Sequence, residues 1–96
     1  MEDGGRIDGV PPPEAPPFAP PVKRSVTIAG HQTAISLEPI FWQALRTIAM
    51  REGLPLNALI ARIDVARLGA PHPPNLASAI RCWLFAQQAK NNNCSQ

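Results

Sequence analysis

The chain has 96 residues, with nine basic and seven acidic side chains and a formal net charge of +2. Seven of its twelve prolines fall within residues 11–21, so the rest of the chain allows one small domain and excludes a multidomain protein. A domain of about 70 residues buries only about 60% of its unfolded surface and usually needs a disulfide, a metal or a partner chain. We therefore expect an oligomer.

Charge is distributed unequally along the chain. Residues 1–22 carry one base and four acids, a net charge of −3, whereas residues 23–96 carry eight bases and three acids, a net charge of +5. A basic domain behind an acidic segment is compatible with a polyanionic partner.

The two cysteines, Cys82 and Cys94, belong to no disulfide framework and no CxxC motif. This usage predicts a reducing, cytoplasmic location. The first residues are acidic and no apolar run follows them, unlike a secretory signal. The longest wholly apolar run, residues 82–86, is far shorter than the roughly 18 residues that span a bilayer. We expect neither export nor a membrane partner.

Residues 1–22 are predicted to form a disordered or polyproline II arm, because their proline clusters offer few backbone donors and few large apolar groups. Two PxxP spacings, Pro13 to Pro16 and Pro17 to Pro20, would also fit a groove on a protein partner. A plain spacer is the favoured interpretation, and a protein partner bound through the arm is the alternative.

Two stretches that follow the arm, residues 25–28 and 32–37, alternate polar and apolar side chains with the period of a β-strand. Gly30 can turn the chain between them. The pattern leaves open whether the two strands form a hairpin or whether one of them pairs with another chain.

The first helix has a signal at each end. Pro39 suits the first helical position with Glu38 at the N-cap, and Gly53 supplies a left-handed stop. These signals predict a helix over about residues 39–52.

Two further helices are predicted. Pro55 starts the second helix, which ends before Gly69. Asn75 is a good N-cap for the third, which frays into a polar tail at residues 91–96. The predicted domain therefore covers residues 23–90.

One strand and two helices of about 35 residues cannot close a core alone, because the strand leaves its backbone unpaired along its edges. A second copy would supply the missing strand as an antiparallel ribbon and cover it with four helices. The order of the elements therefore predicts a homodimer.

Several segments match a known pattern, in which a strand runs through Glu38-Pro39 into a helix and an Arg-Glu-Gly-Leu turn leads into a second helix. These segments are residues 34–39, 41–45, 51–54 and 57–60. They resemble a ribbon-helix-helix DNA-binding domain. The leading strand at 24–31 and the third helix start at 75–81 resemble a small bacterial subgroup of that family.

The resemblance covers about residues 23–88 and implies a fold that is mainly α with a short β-ribbon. It also implies a dimer, with strands followed by three helices and the ribbon in the major groove of double-stranded DNA. If Ile35 and Leu37 face the helices, the alternate residues of the second strand face away. These are Gln32, Ala34 and Ser36.

The three outward residues suit base edges. A glutamine can address adenine with two bonds, a serine can donate or accept, and an alanine can touch a thymine methyl. An ordinary solvent-facing strand is the alternative interpretation.

Four further residues are expected to hold phosphates. Lys23 and Arg24 precede the ribbon and would reach flanking phosphates. The resemblance also points to the start of the second helix, where the backbone N–H groups of Leu56 and Asn57 have no protein acceptor. Capping by water is the alternative at this helix end.

No chemistry of another kind is predicted. His31 and His72 lie beside turns without a partner at metal-ligand spacing, so we expect no metal. No catalytic triad, carboxylate pair or Gly-rich phosphate loop is visible, so we expect no enzyme and no cofactor.

The sequence thus predicts a dimeric transcriptional regulator that binds operator DNA as a repressor. Two alternatives stay open. One is an antitoxin, whose folded dimer binds DNA while a flexible segment neutralises a partner protein. The other is a protein-interaction module that has kept the fold without DNA binding.

Overall fold

A computed structural model describes residues 18–94, and the side chains of residues 18–90. Two strands precede three helices, as predicted. The elements are β1 (Val22–Ile28), β2 (His31–Leu37), α1 (Pro39–Arg51), α2 (Leu56–Leu68) and α3 (Leu76–Cys94). Residues 1–17 of the arm predicted at residues 1–22 lie outside the described residues. Val22, the last residue of that predicted arm, belongs to β1.

β1 and β2 form an antiparallel hairpin within one chain. The register runs from Val22 opposite Leu37 to Ile28 opposite His31. Only two residues connect the strands, and both Ala29 (φ 52°) and Gly30 (φ 82°) have positive φ, as in the tight turn that matches strand twist.

The hairpin answers the question that the sequence left open. One edge of β2 pairs with β1 of the same chain. The expectation that β2 can find a hydrogen-bonded partner strand only in a second copy is therefore wrong. Both alternating stretches are also longer than predicted, because β1 begins at Val22 and β2 begins at His31.

α1 begins and ends as the sequence predicts. Glu38 is its N-cap and Pro39 its first residue. At the other end Gly53 adopts a φ of 67°, its N–H donates to the carbonyl of Met50 (3.2 Å), and the N–H of Leu54 donates to that of Ala49 (2.9 Å). This pair of bonds is the Schellman motif, which satisfies carbonyls at a helix end.

The two later helices differ slightly from prediction. Pro55 is the N-cap of α2 rather than its first residue. Asn75 does cap α3, because its Oδ1 accepts a 2.8 Å bond from the N–H of Ser78. α3 runs on to Cys94 through residues assigned to the tail, since asparagine costs only a few tenths of a kcal/mol to about 0.7 in a helix.

The helices cover one face of the hairpin, with α2 against β1 and both α1 and α3 against β2. The core between them is wholly apolar among the described residues. Its largest fully buried side chains are Leu37, Trp42, Leu45, Leu59, Ile60, Ile63 and Ile80. The other face of the hairpin is left uncovered.

No helix within residues 18–94 is both long and apolar enough to cross a membrane.

Candidate nucleic-acid interface

The uncovered side of the hairpin presents six side chains, three from each strand, which we call the outer ribbon face. They lie opposite one another as Lys23 with Ser36, Ser25 with Ala34, and Thr27 with Gln32. Five of the six are exposed and Ser36 is half-buried. The prediction that Gln32, Ala34 and Ser36 face away from the helices is confirmed, because Ile35 and Leu37, which alternate with them, are buried.

The chemistry of the outer ribbon face suits a polyanion with hydrogen-bonding edges. The face carries one ammonium group, three hydroxyls, one amide and two methyl groups, and no acidic side chain. Hydroxyl and amide groups both donate and accept hydrogen bonds. A two-stranded ribbon has the width that the major groove of DNA admits.

Arg24 lies on the opposite side of β1 from Lys23. Its guanidinium carbon sits 5.7 Å from the centroid of the Trp42 ring, a cation–π distance, although the side chain is exposed. Lys23 and Arg24 were both expected to reach phosphates, and the pleat of the strand sends them to different faces.

The start of α2 is open. The carbonyl of Pro55 accepts hydrogen bonds from the N–H groups of Ala58 and Leu59. The two preceding N–H groups, those of Leu56 and Asn57, have no protein acceptor within residues 18–94. Asn57 is exposed and Leu56 is half-buried. The positive end of the helix dipole adds to the attraction for an anion here.

An ion pair fixes the junction between the ribbon and α1. Both Nε and Nη2 of Arg81 donate to Oε1 of Glu38, at 3.2 and 3.1 Å. The guanidinium carbon of Arg81 also lies 5.7 Å from the ring centroid of Phe41. A hydrogen bond from the backbone N–H of Glu38, aided by Arg81, lowers the pKa of the Glu38 carboxyl against the opposing effect of its partial burial.

Two other arginines are engaged within the protein. Arg62 pairs with Glu52 at 3.0 Å. Arg67 pairs with Asp64 at 2.8 Å and donates to the carbonyl of Pro74 at 3.0 Å. The guanidinium groups of both arginines are therefore paired with acceptors of the same chain.

Within the described residues, no group of three or more histidine, cysteine, aspartate and glutamate side chains is placed to hold a metal ion.

The sequence reasoning missed Ser25 and Thr27, which share the outer ribbon face with Gln32 and Ala34. A signal for them was present. The stretch at residues 25–28 alternates as strongly as the second strand, and the two-residue spacing around Gly30 favours a hairpin that sets both outward rows side by side.

A family model of the ribbon-helix-helix domain matches residues 21–88 of the chain. No curated protein and no solved structure matches the chain. The matched segment contains the hairpin, α1, α2 and most of α3.

Proposed function

The chain belongs to the ribbon-helix-helix family, a family of DNA-binding regulators, and from that premise we propose that it binds specific double-stranded DNA sequences as a transcriptional repressor. The outer ribbon face enters the major groove and contacts base edges. The protein acts as a homodimer in the bacterial cytoplasm, without enzymatic activity.

One observation carries the proposal, the outer ribbon face itself. Helices leave it uncovered on a domain whose other hairpin face is packed, and it carries Lys23 and five polar or small side chains without an acid. Hydrogen bonds to base edges would replace the hydrogen bonds to water that these polar side chains lose on binding. The one charge on the face is positive and is therefore attracted to phosphates.

Each of the residues proposed to bind DNA has a distinct role. Gln32, Ala34 and Ser36 contact base edges, and Lys23 contacts a flanking phosphate. The N–H groups of Leu56 and Asn57 hold a second phosphate, since they are directed out of the first turn of α2 and have no acceptor within residues 18–94. Arg24 contributes long-range attraction only, because its side chain lies over Trp42.

The test is a salt-titrated binding assay on random duplex DNA, followed by selection of preferred sites. We expect binding that weakens steeply with salt and a preference for selected sites over random duplex. Changing Gln32 or Ser36 to Ala should lower that preference by about 1 to 3 kcal/mol per base contact, while random-duplex binding barely changes.

Adjacent basic residues provide a matched pair of variants. Lys23→Ala and Arg24→Ala each remove one positive charge, one residue apart, on opposite faces of β1. Only Lys23→Ala should lower the salt slope, by about one unit for each phosphate that the variant no longer neutralises. Equal slopes in the two variants would contradict the assignment of the outer ribbon face to DNA.

The interaction-module alternative is supported by the low charge of the same face, on which Lys23 is the one basic side chain. If the chain binds random duplex no more tightly than a neutral protein and selection enriches no site, this alternative replaces the regulator.

A further inference from the structure

We infer that β1 lies along the rim of the major groove, where Ser25 and Thr27 donate hydrogen bonds from their hydroxyls to phosphate oxygens. This role rests on the proposed function and deepens it. The base edges are left to β2 and to β2 of a second copy. The outer ribbon face thus divides into a strand that reads bases and a strand that holds the DNA backbone.

The free edge of β2 is the one suited to pairing with a second copy. Each strand of the two-stranded sheet has one unpaired edge within residues 18–94. β1 follows Pro21 and carries Lys23 and Arg24, and natural edge strands avoid pairing by means of proline and charged side chains, especially lysine. β2 contains no proline, lysine, arginine or acidic residue. A symmetric dimer therefore places β2 beside its twin at the centre of the sheet and β1 at each margin.

The width of this four-stranded sheet determines which strands enter the groove. Neighbouring strands lie about 4.8 Å apart, so the two central strands fit within the major groove, which is about 12 Å wide. The two β1 strands lie about 14 Å apart, a spacing wider than the groove. They therefore lie over the sugar-phosphate backbones that border it.

The strand register directs the outward row of β1 toward the DNA together with that of β2. Thr27 lies directly opposite Gln32. Ser25 has the same position relative to Ala34. Side chains in such positions have Cβ atoms about 4.5 to 5.5 Å apart. When Gln32 meets a base edge, Thr27 is thus one strand spacing further from the dimer axis, beside the backbone of the nearer DNA strand.

Small hydroxyl side chains suit this position. Ser25 and Thr27 are both exposed, and a hydroxyl forms a short, charge-assisted hydrogen bond with an anionic oxygen. Their small size lets the middle of β1 lie close to the DNA backbone. Ala34 needs this close approach, because its short side chain reaches a base only if the sheet lies near the groove floor.

The row contains two kinds of phosphate contact that respond differently to salt. Lys23 neutralises a phosphate and displaces counterions, so its removal lowers the salt slope. Ser25 and Thr27 are neutral, so the loss of a hydroxyl should lower affinity for every sequence and leave the slope unchanged. A base contact would instead affect only the preference for the selected site.

The experiment uses the full chain with Thr27→Val and Ser25→Ala, each titrated with salt on a selected duplex and on random duplex. Valine keeps the β-branched shape that strands favour and removes only hydrogen bonding. Thr47→Val is the matched control, because Thr47 is exposed on α1 beside Gln87 of α3. Thr27→Ser, which restores a hydroxyl, is the rescue variant.

We expect each β1 variant to weaken binding to both duplexes by about threefold to tenfold for every hydrogen bond removed, and a symmetric dimer loses two. The ratio of the two affinities and the salt slope should stay constant. Thr47→Val should change neither affinity, and Thr27→Ser should recover most of the loss. Thermal unfolding of each variant shows that the hairpin is intact.

Changes to the DNA test the same contacts on the unaltered chain. A methylphosphonate replaces one charged phosphate oxygen by a methyl group, and single replacements along the selected duplex locate the phosphates that the protein holds. Replacements at the groove rims should weaken binding. One rim position in each half-site should weaken binding less with Thr27→Val, because the hydrogen bond is already absent from that variant.

Three outcomes would overturn this role of β1. If the β1 variants lower affinity for the selected site alone, β1 reads bases. If they change neither affinity while Gln32→Ala lowers the ratio, β1 makes no contact with DNA and the proposed function survives. If the unaltered chain selects no site, the proposed function fails together with the role of β1.

Discussion

Two side-chain contacts connect segments that are distant in sequence. Trp42, 1% exposed, donates from Nε1 to the carbonyl of Val22 at 2.9 Å, so α1 is tied to the first residue of β1. Glu38 and Arg81 connect the N-cap of α1 to α3. Both contacts lie at the end of the hairpin away from the turn and hold the ribbon at a defined angle to the helices.

Trp42→Phe removes the indole donor and some core volume. We expect the free energy of unfolding to fall by about 2 kcal/mol, because a hydrogen bond is removed and space is left behind. Urea unfolding measures the change. Trp83→Phe is the control, since Trp83 is half-buried and its indole N–H has no backbone or side-chain acceptor among the described residues. An equal loss of stability in both variants would contradict the role of the Val22 bond.

Glu38→Gln tests the ion pair through pH. The pKa of the Glu38 carboxyl is lowered from its ordinary value of 4.5, so the unfolded state binds more protons between the two values and stability rises with pH there. The stability advantage over Glu38→Gln should be present above about pH 5 and lost as pH falls through the lowered pKa.

Urea unfolding of both proteins at a series of pH values measures this difference. The remaining acidic residues, Glu52 and Asp64 among them, occur in both proteins and cancel in the comparison. A difference that stays constant down to about pH 2 would show that charge on Glu38 contributes nothing.

At the scale of elements, the hairpin turn determines whether β1 lies beside β2. Ala29 has a φ of 52°, a conformation that costs about 1 to 2 kcal/mol for a residue with a Cβ. Gly30, at a φ of 82°, adopts its conformation without that cost. The turn therefore stores strain at one of its two positions.

Ala29→Asn should stabilise the protein by about 0.5 to 1 kcal/mol, because asparagine enters the left-handed region more readily than alanine. Gly30→Ala should destabilise it by about 1 kcal/mol. A Cβ at Gly30 would have no heavy atom within 4 Å, so its cost is that of the backbone alone. Denaturant midpoints measure both changes, and a loss of stability in Ala29→Asn would contradict the left-handed turn.

At the scale of the whole molecule, large apolar side chains remain exposed on the helices. Met50 is 79% exposed, Val65 71% and Phe85 76%. The core is small for a free-standing domain, and covering such side chains with a second copy would add apolar burial. The proposed homodimer would gain this apolar burial, although β2 already pairs with β1 of its own chain.

We expect the melting temperature to rise with protein concentration, because dissociation accompanies unfolding in such a dimer. Differential scanning calorimetry over about a hundredfold range of concentration measures the shift. A concentration-independent transition, together with sedimentation as a monomer, would show that the hairpin and three helices suffice alone.

Removing residues 1–17 should leave the melting temperature unchanged, since this segment contains few large apolar side chains. It carries one base and four acids, so DNA affinity should stay level or increase slightly. The cut leaves Val22 and its bond to Trp42 in place. A loss of stability on deletion would show that the segment packs against the domain.

Features that depend on near neighbours could be predicted from the sequence pattern. Alternation marked both strands, and the Glu38-Pro39 start, the Gly53 stop and the Asn75 cap marked helix ends, because each signal acts within a few residues of chain. The outward row of β2 followed from the same alternation. Family resemblance added the fold that these elements build.

The strand that pairs with β2 and the contact between Glu38 and Arg81 emerge only in the folded chain. These outcomes depend on the path of the chain between residues far apart in sequence, which no local pattern contains. The pairing of β1 with β2 is decided by how both strands pack on the helices and by a turn that alanine disfavours. The position of Ser25 and Thr27 opposite Ala34 and Gln32 depends on this pairing.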